Sequence, residues 1–195
     1  MVGQDFIAAT DLPLLQAAGL TDFNALWRLE LEAVEPPNTD RGGWSSVCRL
    51  ELPEQGYFLK RQSNHLTRSL AHPFGEPTFA REFRNIRRYA ERQVPALSAA
   101  FFGIRKVAGE QRSEQRAILL TRALSSSADW RDLASWLADW SQCSAEQRAQ
   151  LLDASALLAR RLHAARLTHC CFYPRHIFVR SVEQGFAACL IDLEK

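Results

Sequence analysis

The sequence lacks a strong charge of one sign and any pairing of its cysteines at metal-binding spacing. The formal net charge is only +2, which is too small to indicate a nucleic-acid surface. The five cysteines form no Cys-x-x-Cys pair, and the adjacent Cys170 and Cys171 have no second pair at the spacing of zinc ligands. A nucleic-acid partner and a zinc-binding motif are therefore not expected.

Long apolar runs are also missing. The longest ones, such as residues 96–104, fall well short of the roughly 20 residues that a membrane span requires. The N-terminal residues contain neither the basic nor the apolar segment of a secretory signal. An odd number of cysteines without such a signal indicates a reducing compartment. We therefore expect a cytoplasmic protein, whose contact with a membrane would be peripheral.

The composition is that of a folded globular protein, with 47% hydrophobic and 24% charged residues. A chain of 195 residues can build one substantial core or two small lobes that share a cleft. Arginine strongly outnumbers lysine, and the guanidinium group suits phosphate. The kind of ligand must be argued from particular residues.

Apolar and polar residues alternate in the first half of the chain, which predicts β-strands. The predicted strands are residues 27–34, 48–52, 57–62, 99–107 and 117–120. Between the third and fourth of them, Pro77 opens an amphipathic helix that ends near Val94. The predicted order of elements is βββαββ.

Helical patterns follow in the second half. One helix is predicted over residues 129–140, with Asp129 as its N-cap. Another is predicted over residues 144–166, where Ser144 and Gln147 have the spacing of a capping box.

A short hairpin of residues 177–180 and 188–191 closes the chain. The change of character near residue 124 divides the sequence into a part of residues 1–124 and a part of residues 125–195.

Three features of the first part carry chemistry. The glycine turn of residues 42–46 lies between two predicted strands, where backbone N–H groups can meet a phosphate, although an ordinary hairpin turn has the same composition. Lys60 shares a strand face with Phe58. Glu82 lies at the edge of the apolar stripe of the helix, a placement that suits an ion pair with Lys60. The alternatives are an exposed edge lysine and a solvated carboxylate.

The element order, Lys60, Glu82, the segment of residues 162–179 and the pair Ile191-Asp192 together resemble the lipopolysaccharide kinase family (Kdo/WaaP type, InaA branch). This resemblance covers about residues 25 to 195. It implies an α+β, protein-kinase-like fold with an N-terminal antiparallel five-stranded sheet and one main helix, followed by a mostly helical C-terminal lobe. Residues 1–124 would then be the nucleotide-binding N-lobe and residues 125–195 the C-lobe.

The resemblance also implies roles in nucleotide binding. Lys60 would pair with the α and β phosphates of ATP, and Glu82 would hold Lys60 in place. The turn would cover the phosphates through Gly42, Gly43 and Ser45. The connection between the lobes would begin at Thr121, with backbone groups facing adenine.

In the second part, the resemblance places four residues in the catalytic machinery. His169 takes the place of the histidine in the H-R-D motif, and Cys171 takes the place of its aspartate. His176 falls where protein kinases have a metal-binding asparagine, 16 residues before Asp192. Asp192 corresponds to the D-F-G aspartate that holds Mg²⁺.

Cys171 is the main departure from the family pattern. A thiol is mostly protonated at neutral pH and cannot accept a hydroxyl proton as a carboxylate does. Losing a general base costs typically 10²–10⁴-fold in rate. His169 could replace it as the base, or it could have the structural role that this histidine usually has in kinase folds.

The function implied by the resemblance is ATP- and Mg²⁺-dependent phosphorylation of a sugar hydroxyl of the lipopolysaccharide core, on a heptose or on Kdo. The alternative is a pseudokinase that binds nucleotide, or acts in a stress response, without transferring phosphate. An aminoglycoside-phosphotransferase-like enzyme would share the fold, but it predicts an aspartate where Cys171 stands.

Only three residues follow Asp192, so we expect an incomplete C-terminal lobe. We also expect exposed apolar surface around the helix of residues 144–166.

Overall fold

The structure is a computed structural model that describes residues 5–108, 113–124 and 130–194. Within these ranges it contains ten strands: β1 Phe6–Ile7, β2 Trp44–Leu52, β3 Gln55–Ser63, β4 Leu66–Thr67, β5 Glu76–Pro77, β6 Ala99–Ala108, β7 Ser113–Arg122, β8 Arg131–Asp132, β9 Ile177–Val182 and β10 Gly185–Leu190. The α-helices in the same ranges are α1 Leu12–Ala17, α2 Phe23–Arg28, α3 Thr78–Glu91, α4 Leu133–Ala138 and α5 Ala145–Ala164. Short 3₁₀ turns span Asp40–Gly42, Trp140–Gln142 and Pro174–His176.

The chain divides into two compact units. Among the described residues, the first consists of residues 5–84, 98–108, 113–123 and 194. The second consists of residues 85–97, 124 and 130–193.

The first unit contains an antiparallel five-stranded sheet in the order β1-β6-β7-β3-β2. Strands β2 and β3 form a hairpin whose register runs without interruption from Trp44 opposite Ser63 to Leu52 opposite Gln55. The turn between them is the pair Pro53-Glu54, which begins with the proline that tight turns favour. The predicted five-stranded sheet is confirmed, but one of its strands is not the one expected.

The prediction of a strand over residues 27–34 is wrong. Trp27 and Arg28 end helix α2, whose N-cap Asp22 accepts hydrogen bonds from two backbone N–H groups. Among the described residues, the fifth strand of the sheet is the edge strand β1. The apolar residues Trp27, Leu29 and Leu31 pack against the core of the first unit. Strand pairing is limited to the end of this segment, where Ala33 forms an isolated antiparallel bridge with Cys48. The alternation therefore reflects burial more than a ladder of hydrogen bonds.

The two faces of β3 have different partners. Tyr57 and Leu59 are fully buried in the core cluster that contains α1 and α2. The alternate residues Lys60 and Gln62 contact helix α3. This division follows from the two-residue period of a strand, and it places Lys60 against Glu82 of α3. The core cluster consists of Leu15, Leu20, Phe23, Leu26, Leu50, Tyr57, Leu59, Ala100, Phe101, Ile118 and Leu120.

Helix α3 confirms the predicted amphipathic helix. It starts directly after the short β4–β5 hairpin and ends at Glu91, before Gln93 takes a left-handed conformation. On its apolar side Phe83 stacks on Phe102 of β6, with ring centroids 4.3 Å apart.

The helix predicted over residues 129–140 is shorter in the structure. Asp129 lies outside the described residues. The observed α4 has Asp132 as its N-cap, and the Asp132 carboxylate accepts a hydrogen bond from the backbone N–H of Ser135 (2.9 Å). Since the aspartate cap fixes the helix start, the helix begins at Leu133.

Helix α5 starts with the predicted capping box. The Gln147 N–H donates to Ser144 Oγ (3.1 Å), and the Ser144 N–H donates to Gln147 Oε1 (2.9 Å). The helix packs on the β9–β10 hairpin through one buried face. Its other face exposes Leu152 and Leu157, by 61% and 47%, as predicted. No helix in the described part of the chain has the length and apolar character that crossing a membrane demands.

Candidate active site

Lys60 and Glu82 form the ion pair that their positions in the sequence predict. Lys60 Nζ lies 2.6 Å from Glu82 Oε1, with 17% of the lysine side chain and 1% of the glutamate side chain exposed. The Lys60 ammonium also lies 5.9 Å from the ring centroid of Phe79, within the range of a cation–π interaction. The carboxylate and the ring fix the direction of the Lys60 ammonium group, and part of the lysine side chain remains exposed.

Gln62 positions the helix that carries Glu82. Its side chain is fully buried, its Oε1 accepts from the backbone N–H of Phe79 (2.9 Å), and its Nε2 donates to the carbonyl of His65 (2.5 Å). The first backbone N–H groups of a helix have no partner within the helix, so Gln62 caps α3 from the strand. Lys60 and Gln62, two residues apart, thus both hold the start of α3 on one face of β3.

The glycine turn is shaped by close packing against its own sheet. Gly42 has a φ of 73° at the end of the 3₁₀ turn Asp40–Gly42. A Cβ on Gly43 would lie 2.3 Å from the Ser63 carbonyl oxygen, so only glycine fits there. The Ser45 N–H donates to the Asn38 carbonyl (2.8 Å) and so is not free to meet a phosphate; the Ser45 hydroxyl is the group left for a ligand.

Thr121 is buried near the end of β7, and the backbone after it is largely occupied. The Arg122 N–H donates to Ser98 O (3.0 Å), and the Ala123 N–H donates to Gly56 O (2.8 Å). Gln55 Nε2 donates to the Ala123 carbonyl (3.1 Å). Any adenine contact at this connection would have to use the remaining polar groups.

In the second unit, Cys171, His176 and Asp192 lie together. The thiol sulfur, a ring nitrogen and a carboxylate oxygen are all within 4.8 Å of one another. His176 Nε2 is 3.5 Å from Asp192 Oδ2, and the Nδ1–H of His176 donates to the Cys171 carbonyl (2.8 Å). That hydrogen bond leaves the lone pair on Nε2, the nitrogen that faces Asp192.

The backbone around Asp192 is held on both sides. The Ile191 N–H donates to the His176 carbonyl (3.0 Å), and Asn85 Nδ2 donates to the Leu193 carbonyl (2.6 Å). Asp192 has a φ of 57°, a left-handed conformation that is uncommon outside glycine and is concentrated at functional sites.

His169 is buried, and its ring links the loop to the residue before Asp192. Its Nε2–H donates to the Ile191 carbonyl (3.0 Å), while its Nδ1 is buried with no hydrogen-bond partner among the described atoms. Nearby, the hydroxyl of Tyr89 donates to the Thr168 carbonyl (3.2 Å), and burial raises the pKa of Tyr89 to about 12. Tyr89 therefore remains a donor, and the loop is anchored just before His169.

Several residues that position the candidate site were not predicted from the sequence. Gln62 could have been recognised from its place two residues after Lys60 on the same strand face. Asn85 lies one helical turn after Glu82, but nothing in the sequence pairs it with Leu193. Asp11 is buried and accepts hydrogen bonds from the Tyr57 hydroxyl and the Arg122 guanidinium (2.8 Å each). Arg122 lies 111 residues away in the chain, so no local pattern predicts this contact.

Among the ligand atoms of Cys171, His176 and Asp192, only the carboxylate oxygen is of the type that Mg²⁺ prefers. Mg²⁺ is usually held by one or two carboxylates together with phosphate oxygens and water. Asp192 fits this requirement. The sulfur of Cys171 and the nitrogen of His176 suit transition metals better.

Comparison with known proteins identifies the class and then the family. Over 98% of its length the chain superposes on 71% of WaaP, from a structure described as "WaaP in complex with acyl carrier protein", with a TM-score of 0.68 at 21% identity. The fold is therefore protein-kinase-like.

The sequence comparisons are more specific. Residues 24–195 match the model of the "Lipopolysaccharide kinase (Kdo/WaaP) family". The chain is also 34% identical to Protein InaA of Escherichia coli (strain K12) over 181 residues, which are 92% of this chain and 80% of that protein. The chain belongs to the lipopolysaccharide kinase (Kdo/WaaP) family, as its motifs predict.

Proposed function

We propose that this chain is an ATP-dependent kinase that phosphorylates a hydroxyl group of a lipopolysaccharide core sugar, a heptose or Kdo, on the cytosolic side of the inner membrane. The observation that carries the proposal is the ion pair between Lys60 and Glu82. Burying a charged pair rarely increases stability over apolar packing. An accessible cation fixed by a buried carboxylate is the arrangement that a phosphate ligand requires.

In this proposal the residues predicted to bind the nucleotide, together with Asp192, have defined tasks. Lys60 binds the α and β phosphates while Glu82 keeps its direction. Gly42 and Gly43 bring the backbone close to the nucleotide, Ser45 contributes its hydroxyl, and Thr121 precedes the adenine-binding connection. Asp192 supplies a carboxylate oxygen to Mg²⁺, whose charge neutralises the phosphates.

The acceptor hydroxyl would be activated poorly. Cys171 stands at the position of the general base, and a neutral thiol is a weak proton acceptor. His169 is not a good substitute. Its Nε2–H donates to the Ile191 carbonyl, so its lone pair lies on Nδ1, and Nδ1 is buried where an acceptor hydroxyl does not reach it. We therefore expect phosphate transfer that is slow for a kinase.

Cys171 also favours a second candidate function, a pseudokinase that binds nucleotide without transferring its phosphate. Lys60, Glu82 and Asp192 would keep their binding tasks in such a protein. The two candidates differ only in whether a phosphate reaches the sugar.

Peripheral contact with the membrane is part of the proposal, since the acceptor is a lipid-linked sugar. The loop between β4 and β5 supports it: Leu70 is fully exposed, Phe74 is 92% exposed, and the exposed Arg68 precedes them. Apolar side chains beside a basic residue suit the surface of an anionic bilayer.

The experiment measures nucleotide binding and phosphate transfer separately. Binding of a fluorescent ATP analogue is titrated with Mg²⁺ present, and transfer of labelled γ-phosphate to core oligosaccharide is followed over time. Lys60→Met should weaken binding by about 10- to 100-fold, the worth of one to two charge-assisted hydrogen bonds. Lys106→Met, which alters an exposed lysine of β6, is the matched control and should change neither quantity.

Thermal melting of Lys60→Met shows whether its loss of binding comes from unfolding. Lys60→Arg is the second variant, because arginine keeps a positive charge beside Glu82. Binding without transfer would favour the pseudokinase. An affinity for nucleotide that does not respond to Lys60→Met would contradict both candidates.

A further inference from the structure

The three side chains near Asp192 define a metal site of a different character from a magnesium site. Cys171 is buried, and the side chains of His176 and Asp192 are 13% and 32% exposed. We propose that Cys171, His176 and Asp192 bind a thiophilic divalent cation of the Zn²⁺ type, with three protein ligands and one open coordination position.

The distances suit tetrahedral coordination. Bonds of about 2.0–2.3 Å from zinc to nitrogen, oxygen and sulfur place neighbouring ligand atoms roughly 3.4–3.7 Å apart. His176 Nε2 and Asp192 Oδ2 are already 3.5 Å apart, and the sulfur lies within 4.8 Å of both partners. A small rotation of side chains is enough to close the set around one ion.

The surroundings of the ligands are those of a supported metal site. A histidine ligand usually donates its other ring N–H to a carbonyl or carboxylate, which fixes its tautomer. His176 donates Nδ1–H to the carbonyl of Cys171, another member of the same set. The backbone on both sides of Asp192 is also held by hydrogen bonds. Two of the three ligands are therefore oriented before any ion binds.

The donor types decide which ion is preferred. Thiolate and imidazole favour zinc and related transition metals, whereas Mg²⁺ would gain from Asp192 alone. On binding, the Cys171 thiol loses its proton to solvent and the sulfur bonds to the metal as a thiolate. Three protein ligands leave the fourth position to water or to another small ligand.

One group opposes the binding of a cation. The Nε–H of Arg175 donates to His176 Nε2 at 3.2 Å, so it occupies the lone pair that the metal needs. Arg175 is exposed and can turn into solvent, at the expense of this hydrogen bond. Arg175→Ala should therefore strengthen zinc binding several-fold, because it removes both the competing donor and a nearby positive charge.

A consequence for nucleotide binding rests on the proposed function. Asp192 is the ligand that Mg²⁺ would share with the phosphates, so a bound zinc ion would take this carboxylate. Zinc would then compete with Mg²⁺, while the zinc site itself does not depend on kinase activity.

The test is a titration of the whole chain with Zn²⁺ against a chromophoric chelator, together with the absorption spectrum of the Co²⁺-loaded protein. We expect one equivalent of zinc and a thiolate-to-cobalt charge-transfer band. Cys171→Ser, His176→Ala and Asp192→Asn should each weaken zinc binding by more than about 100-fold. Loss of a residue that only orients a ligand weakens metal binding by about 10- to 100-fold. Cys170→Ser is the matched control, since Cys170 is the exposed neighbour outside the cluster, and it should leave the affinity and the spectrum unchanged.

The site would be rejected if wild-type protein shows no thiolate band with Co²⁺, or if Cys170→Ser abolishes the band and Cys171→Ser does not. The cobalt spectrum of the wild type needs no variant, so a misfolded variant cannot hide a negative result. If the protein binds zinc but not ATP, the proposed function is contradicted and the metal site is supported. If it binds ATP but not zinc, the metal site is contradicted and the proposed function is supported.

Discussion

The two groups of predicted site residues differ in how closely they follow a kinase. In the first unit, Lys60 and Glu82 have the residue types and the contact that nucleotide binding requires. In the second unit, Asp192 matches the family pattern, whereas Cys171, at the position predicted for a base, lies in one cluster with it. If the proposed function is right, nucleotide binding and phosphate transfer depend on separate residues and can be changed separately.

Replacing the Cys171 thiol by a carboxylate should make the residues of the second unit match the kinase pattern as closely as Lys60 and Glu82 do. Cys171→Asp supplies a general base next to Asp192, and a base contributes typically 10²–10⁴-fold to the rate. We expect phosphate transfer to core oligosaccharide to rise by at least about 100-fold, while the affinity for zinc falls because the sulfur ligand is gone. Rates from labelled ATP and a parallel zinc titration measure both effects.

The control for this gain is Cys171→Asn, which has a similar shape and no proton acceptor of comparable strength. If Asn raises the rate as much as Asp, the thiol is not what limits transfer.

Asp11 in the first unit and Asp192 in the second should respond differently to removal of their charge. Asp11 binds the Tyr57 hydroxyl and the Arg122 guanidinium and is 1% exposed. Burial, followed by the hydrogen bond to Asp11, raises the pKa of Tyr57 well above its usual range, so Tyr57 stays a donor. Asp11→Ala should lower the free energy of unfolding by about 3 kcal/mol, since it leaves the buried Tyr57 hydroxyl without its acceptor and removes the carboxylate partner of the partly exposed Arg122.

Asp192→Asn is the counterpart in the second unit. Asp192 is partly exposed, and asparagine tolerates a left-handed backbone, so we expect a change below about 1 kcal/mol. Urea denaturation of both variants gives the comparison. Equal losses would contradict the view that Asp11 has a structural role and Asp192 a ligand role.

Exposed apolar side chains occur in both units, and only one set is expected to meet a membrane. Leu70→Ser with Phe74→Ser should reduce binding to vesicles that contain anionic lipid by about 10-fold, since it removes two apolar anchors beside Arg68. Leu152→Ser with Leu157→Ser on α5 is the matched control and should bind like wild type. A larger loss for the α5 pair, measured by vesicle sedimentation, would place the contact on the other unit.

The smallest expected effect concerns acid stability of the first unit. The hydrogen bond from Arg84 lowers the pKa of Glu76 against the opposing effect of burial. The stabilisation is therefore present above the pKa of about 4.5 that Glu76 has when unfolded, and it is lost as the pH falls through the lower, folded value. Between about pH 6 and pH 3, wild type should lose about 1 kcal/mol more stability than Glu76→Gln, a figure reduced by the exposure of Arg84.

Glu91→Gln serves as the control for this measurement, because Glu91 is an exposed carboxylate on α3, the helix that also carries Arg84. It should follow the wild-type curve in urea denaturation at each pH. If Glu91→Gln behaves like Glu76→Gln, the effect is general charge repulsion.

Local patterns predicted the longer elements from β2 to β10, but not β1, α1 and α2 at the start of the chain. The capping box of α5, the β2–β3 hairpin and the amphipathic α3 were predictable because each is encoded by neighbouring residues. Residues 27–34 alternate like a strand, yet Trp27 ends a helix. The pattern records which residues are buried, and burial can be reached without strand pairing.

The family, the order of the longer elements from β2 to β10 and the ion pair of Lys60 and Glu82 could be predicted from the sequence, because these depend on residue types at nearly fixed spacing. Tertiary packing was needed to bring Cys171, His176 and Asp192 into one ligand set and to let Asp11 anchor Tyr57 and Arg122. Residues far apart in the chain are brought together by packing and backbone hydrogen bonds, and those contacts leave no periodic pattern in the sequence.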